Sequence, residues 1–201
     1  MSGFRSRRHA MVRKSRTDAR ERILDAALAV ADRVGAAHLT LDAVAAEAGV
    51  SKGGLLYHFA SKDLLLGGVV EHHMERHRED LAAAEALFPA HAGGYLQAFV
   101  HAQRQGMEAK LHGPKATQSF IAAAVNTPEL MDAPRRYATA HVQRLRELGP
   151  DFVEALLVTL AFDGLFFGDA FEMLDLSTSE REAVIEALQA RAATLAMRHS
   201  D

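Results

Sequence analysis

Between Gly49 and Phe59 the chain sets Ser51, Lys52, Tyr57 and His58 around the pair Gly53-Gly54. Hydroxyl, ammonium, phenol and imidazole groups on one short segment can bond anionic oxygen or the acceptor edges of bases. The glycines cost a helix about 1 kcal/mol each relative to alanine. That cost is easier to understand where backbone must come close to a large ligand. A softened turn between two core helices explains the same pair and, on the segment alone, is the better reading. Elsewhere the reactive groups are thinner. His73 and His77 stand four apart on one helix face and could share a metal. No third ligand falls at suitable spacing, so a plain helix face is the better reading and no metal or cofactor is expected. There is no cysteine, which removes disulfides, thiolate metal sites and a cysteine nucleophile. No nucleophile elbow or phosphate-binding glycine loop is read here, and scattered carboxylates suit solvated helix faces, so an enzyme is not expected.

The elements that must hold Lys52 and Tyr57 follow from periodicity and punctuation. Ile23, Ala27, Val30, Ala31 and Val34 repeat at the three-to-four spacing of one helix face, with Thr17 placed to cap the start and Gly35 to end it. Thr40 caps a second helix, Leu41 to Ala48, whose inward residues are Leu41, Val44, Ala45 and Ala48. Gly49 breaks it and Val50 packs in the turn. Ser51 caps a third helix through about His58, with Leu55 and Phe59 inward and Lys52, Gly53, Tyr57 and His58 outside. Ser61 caps a fourth, from Lys62 to about Leu87. Short helices joined by a glycine-containing turn, the last with a free outer face, form the pattern of a helix-turn-helix.

The stretch from Arg16 to about Arg78 resembles the DNA-binding domain of the tetracycline-repressor (TetR) family. The likeness is carried by Ile23-Leu24-Asp25-Ala26-Ala27, by Thr40-Leu41-Asp42-Ala43-Val44-Ala45, and by Ala48-Gly49-Val50-Ser51-Lys52-Gly53. His58-Phe59 and Ser61-Lys62-Asp63-Leu64-Leu65 complete it. The resemblance implies a homodimer on a near-palindromic double-stranded DNA operator, usually a repressor released by a small-molecule effector. By position it makes Thr40, His58 and Lys62 phosphate contacts, and Lys52 and Gly53 recognition-helix contacts. Ser51 and Gly54 complete the DNA-facing set. Many members carry tyrosine where this chain has Leu56; here the tyrosine is Tyr57, placed for a phosphate or a thymine methyl. The third helix has no Arg, Asn or Gln, so specificity would depend on Lys52, Tyr57, apolar contacts and DNA shape.

Beyond about residue 80 the pattern stays helical, with segments near 91–111, 115–125, 128–147, 150–174 and 178–198. Gly113-Pro114, Thr127-Pro128 and Gly149-Pro150 put proline near helix starts, and Ser177 with Glu180 has capping-box spacing. No alternating run compels a strand. The expected fold is all-α: a flexible basic arm over 1–16, a helix-turn-helix domain over 17–78 (the motif at about 41–59), and a larger helical ligand-binding and dimerisation domain over 79–201. Ala161, Gly164 and Gly168 offer small residues for close helix approach beside Phe166, as at a dimer interface; an intramolecular core accounts for them almost as well. Phe99, Gln103, Met107, Phe120, Met131, Tyr137 and His141 mix apolar bulk with polar groups, as pockets do, and plain core is the alternative.

Charge divides in the same way. Residues 1–62 hold eleven Lys/Arg against six Asp/Glu, and the remainder holds twelve against twenty. A basic first third suits a polyanion there and not elsewhere, and a solvated tail on an average protein accounts for the charge equally well. The arm over 1–16, with six basic residues and no acid, could add phosphate or minor-groove contacts, and a plain flexible terminus is the commoner case. No apolar run reaches the roughly 20 residues that span a bilayer, so a cytoplasmic protein without membrane contact is expected. The competing reading is a helical carrier or sensor of a small ligand that regulates no gene.

Overall fold

The computed structural model describes residues 3–109 and 114–199, with side chains described over 18–107 and 116–199. Among these residues the regular structure is all helical. In order come α1 (Gly3–Val34), α2 (Leu41–Glu47), α3 (Lys52–His58), α4 (Lys62–Glu85), α5 (Ala92–Ala109), α6 (Pro114–Asn126), α7 (Asp132–Arg146), α8 (Phe152–Ala170) and α9 (Thr178–Met197). Short 3-10 turns lie at Ala36–His38, Pro128–Met131 and Gly149–Asp151. No described helix is long and apolar enough to cross a membrane.

Most boundaries fall where the caps put them. The Thr40, Ser51 and Ser177 hydroxyls accept from the amides of Ala43, Gly54 and Glu180, and Glu180 closes a capping box by accepting from the Ser177 amide at 2.9 Å. Four boundaries differ. The first helix begins at Gly3 and passes through Thr17, where capping placed its start, so the backbone of residues 3–16 is helix continuous with the rest of α1 and not the flexible arm expected there. Pro128 and Pro150 sit in 3-10 turns, and α-helix resumes only at Asp132 and Phe152. The eighth helix stops at Ala170, short of 174, because Glu172 turns to φ 53° and the Met173 amide closes back on the Gly168 carbonyl at 2.8 Å.

The chain divides into two compact units: Met1–His72 with Lys115–Leu130, and His73–Pro114 with Met131–Asp201. The first is packed around Ile23, Leu24, Ala27 and Val30 of α1, Val44 and Ala45 of α2, Leu55 and Phe59, and Leu65, Leu66 and Val69 of α4. The second is packed around Leu81 and Ala84 of α4, Leu96, Phe99 and Val100 of α5, Leu145 and Leu148, Phe162 and Leu165 of α8, and Ile185 and Leu195 of α9. Helix α4 belongs to both units, its first part to one and its second to the other.

Candidate nucleic-acid interface

The turn that sets α3 is built by backbone. The Val50 amide donates to the Ala45 carbonyl at 3.0 Å and the Gly49 amide to the Ala46 carbonyl at 3.2 Å, the two bonds of a Schellman closure. Gly49 stands at φ 63°, in the left-handed region where a side chain is strained, so glycine is needed there. From this turn α3 buries Leu55 completely and Phe59 nearly so. Phe59 leans on Gly68 of α4, where an added Cβ would come within 2.6 Å of its ring. The inward residues of α3 are thus the two expected from spacing.

The outer face presents Lys52, Gly53, Leu56 and Tyr57 to solvent, with Tyr57 66% exposed and His58 half-buried. The Tyr57 and His58 rings meet edge to face at 5.3 Å. Thr40, exposed, and Ser51 spend their hydroxyls as helix caps, at 3.2 Å and 3.0 Å. Ser51 stands in a Gly-x-Ser-x-Gly run, but a helix rather than a strand precedes it, so no nucleophile elbow is formed. Lys62 donates to the Ala37 carbonyl at 2.7 Å and so ties the start of α4 to the turn before α2. Gly53 is open on its outer side: an added Cβ would meet nothing within 4 Å, so the fold itself does not demand glycine there.

Sequence reasoning missed two partners. Lys52 forms an ion pair with Asp42 of α2 at 3.0 Å, both side chains exposed. The signal was available in an acidic residue in the first turn of α2, after the Thr40 cap. The Arg20 guanidinium lies over the Phe59 ring at 5.3 Å and braces the end of α3 against α1.

The seven pocket candidates separate. Phe120, on α6, packs against the core of the first unit, and the other six lie in the second. There Phe99 stacks on His141 with centroids 4.1 Å apart. The His141 ring is held at both nitrogens, Nδ1 2.7 Å from the Tyr95 hydroxyl and Nε2 3.0 Å from Thr159 Oγ1. Burial pulls its pKa down to about 4, so the ring is neutral at neutral pH. Tyr137, one turn before it on α7, is half-buried, with its hydroxyl pushed up to about 12 by burial and then by Asp163. Gln103, Met107 and Met131 are half-buried. A cavity of about 210 Å³ in this unit is lined by other residues, among them Glu85, His91, Tyr95, Arg144 and Glu147. Arg144 is paired with Glu85 at 2.9 Å and lies over the Tyr95 ring at 4.2 Å.

His73 and His77 meet at 3.1 Å through their Nε2 atoms, and no group of three metal-capable side chains occurs among the described residues. Of the interface candidates, Gly164 is exposed, Ala161 half-buried and Phe166 40% exposed. Gly168 faces inward, where an added Cβ would lie 2.3 Å from Leu174.

Two family models match this chain. Residues 23–69 match the bacterial regulatory proteins of the tetR family, and residues 93–193 the tetracyclin repressor-like C-terminal domain. The chain belongs to the TetR family of transcriptional regulators. Solved structures share the fold. SCO4454, a TetR-family transcriptional regulator from Streptomyces coelicolor, is 19% identical with TM-score 0.65 over 92% of this chain and 97% of its own. The fatty acid degradation regulator FadR from Bacillus halodurans is 16% identical with TM-score 0.62 over 88% and 93%. The multidrug binding protein EbrR, complexed with ethidium, is 25% identical with TM-score 0.59 over 86% and 98%. No functionally curated protein matches the sequence.

Proposed function

We propose that this TetR-family regulator is a repressor that binds a near-palindromic operator as a homodimer through the outer face of α3 and leaves it when a small molecule binds the second unit. The observation that carries the DNA reading is Gly53. It is a helix-weakening residue on an exposed face with no neighbour that requires it, next to Lys52 and one turn from Tyr57. Such a position makes sense where a duplex comes close to the backbone. Lys52, Gly53 and Tyr57 form the center of the reading face. Thr40, Ser51, Gly54, His58 and Lys62 are assigned to the contacts around it, and the basic residues of 1–16, whose side chains lie outside the described residues, to further phosphate contacts.

The homodimer reading is supported by α8. Val153, Leu157, Leu160, Gly164 and Phe167 follow one another at helical spacing and are all exposed, Val153 by 63%. An apolar stripe that long is unusual on a lone protein and suits a second copy of the same chain. Ala161 borders the stripe. Release follows from α4, which belongs to both units: a ligand that displaces its second part moves the helix on which Phe59 is seated. A regulator of genes works where the DNA is, in the cytoplasm, and needs no catalysis. One solved relative is complexed with ethidium and another regulates fatty acid degradation, so likeness carries over no single effector class.

The test is selection from a random duplex library with the purified protein, together with its mass in solution. Expected are an enriched palindrome with half-sites about 34–36 Å apart or a multiple of that, a dimeric mass, and affinity that falls steeply with salt. Salt-sensitive binding without enrichment, with or without a small-molecule extract, would sink the regulator reading in favour of a carrier.

A further inference from the structure

Helices α7 and α8 face each other along a polar seam. Tyr137 and His141 lie one turn apart on α7, and Thr159 and Asp163 one turn apart on α8. The lower rung is closed: His141 has both ring nitrogens engaged, by Tyr95 and Thr159. The upper rung is open. Asp163 is half-buried, yet its carboxyl forms no hydrogen bond or ion pair among the described residues. It lies close enough to Tyr137 to raise that hydroxyl's pKa. The His77 ring of α4 stands 6.2 Å from the Tyr137 ring and shares its Nε2 contact with His73. On the Asp163 face of α8, Phe166 adds an exposed ring.

We propose that the effector is an organic cation, a protonated amine on an apolar body, with the Asp163 carboxylate as its counter-ion and the rings of Tyr137 and His77 as its walls. A carboxylate partly withdrawn from water is less well solvated than an exposed one, and a positive charge beside it offsets that loss. An anion would be repelled by it, and a neutral body would leave it unpaired. Aromatic faces reinforce the preference, because they attract cations as well as covering apolar carbon. The neighbouring cations do not fill the place. Arg78 lies near enough to Tyr137 to act on its hydroxyl, but it bonds Glu75, at 2.9 and 2.5 Å, and the shift of Asp163 comes from burial. Burial lowers the pKa of His77, so that ring serves as a neutral wall. Burial also lifts the Asp163 carboxyl, the strain that a bound ammonium would relieve.

The proposal rests on the second unit being the effector domain, and it is tested with three probes that share one fluorophore and differ in charge. Dansylcadaverine is a cation, dansylamide is neutral and dansylglycine is an anion. Fluorescence titration of the full chain is expected to rank them in that order, with the cation about tenfold tighter than the neutral probe, a difference of about 1.4 kcal/mol. Asp163→Asn, with native helix content and melting, is expected to erase the preference while leaving dansylamide binding within about twofold, which is under 0.5 kcal/mol. Equal affinities, a tighter anion, or no binding of dansylcadaverine to the native protein would overturn the proposal without any variant. So would an Asp163→Asn protein that keeps the preference. The same preparation is assayed on the selected duplex. DNA binding without a cation preference removes only the effector class, and a cation preference without sequence-specific DNA binding removes only the regulator reading.

Discussion

The first unit keeps its polar side chains outside an apolar core, whereas the second takes some of its own inside. Ile23, Val44, Leu55 and Leu65 pack without a buried polar partner in the first core. The buried polar residues of the described chain, His141 and Thr159, both lie in the second. The contrast fits two kinds of ligand. A duplex is too large to enclose, so it is met by a rigid surface whose side chains stay solvated until it arrives. A small molecule is enclosed, so its partners are held in advance among apolar groups. Apolar packing holds both cores, and the second adds the hydrogen bonds of His141 to Tyr95 and Thr159.

The comparison breaks first if the apolar core of the first unit does not hold α3. Leu55→Ala is expected to cost about 2–5 kcal/mol, read by urea unfolding, and to abolish duplex binding. Loss of binding with unchanged stability would mean that Leu55 is not the anchor. In the second unit His141 carries a pH signature. Its folded pKa, about 4, lies below its unfolded value of 6.5, so the unfolded chain binds the extra proton between those values. Stability is therefore full above about pH 6.5 and is lost as pH falls toward 4, by about 3 kcal/mol. Thermal melts across that window should show the loss, and His141→Gln should flatten the slope that this group contributes.

Smaller effects sharpen the difference between holding and reading. Gly53→Ala is expected to raise stability by about 0.5–1 kcal/mol through helix propensity while weakening duplex binding. Gly68→Ala should do the opposite to stability, because its Cβ would meet the Phe59 ring at 2.6 Å. If both raised stability, the seating of α3 on α4 would be misplaced. The smallest effect is expected at Asp42. The exposed pair with Lys52 is worth about 0–1 kcal/mol, so Asp42→Asn should leave melting nearly unchanged. It should tighten duplex binding a few-fold by freeing the ammonium, whereas weaker binding would show that the pair positions Lys52.

Much of the first unit was legible because its signals are local. Caps at Thr40 and Ser51, the break at Gly49 and the spacing of Leu55 and Phe59 each act within one turn of chain. The second unit was legible only in its helices. Which pocket candidates share a site depends on tertiary packing, and spacing could not separate Phe120 from Phe99 and His141. Asp163 escaped attention because an acid on a helix reads as a solvated face until the helix opposite it is known. Gly168 shows the reverse: a small residue suited to an interface turns inward to accommodate Leu174.

The most direct test of the central claim, that the outer face of α3 reads DNA, is the affinity of the Lys52→Ala/Tyr57→Ala protein for the enriched duplex at two salt concentrations. Both side chains are exposed, so melting is expected to stay within about 0.5 kcal/mol of the native value. Affinity for the enriched duplex is expected to fall at least tenfold, more than 1.4 kcal/mol, with a shallower salt dependence and residual binding to random duplex. A stable double variant that still binds the palindrome with native affinity and native salt dependence would contradict the account.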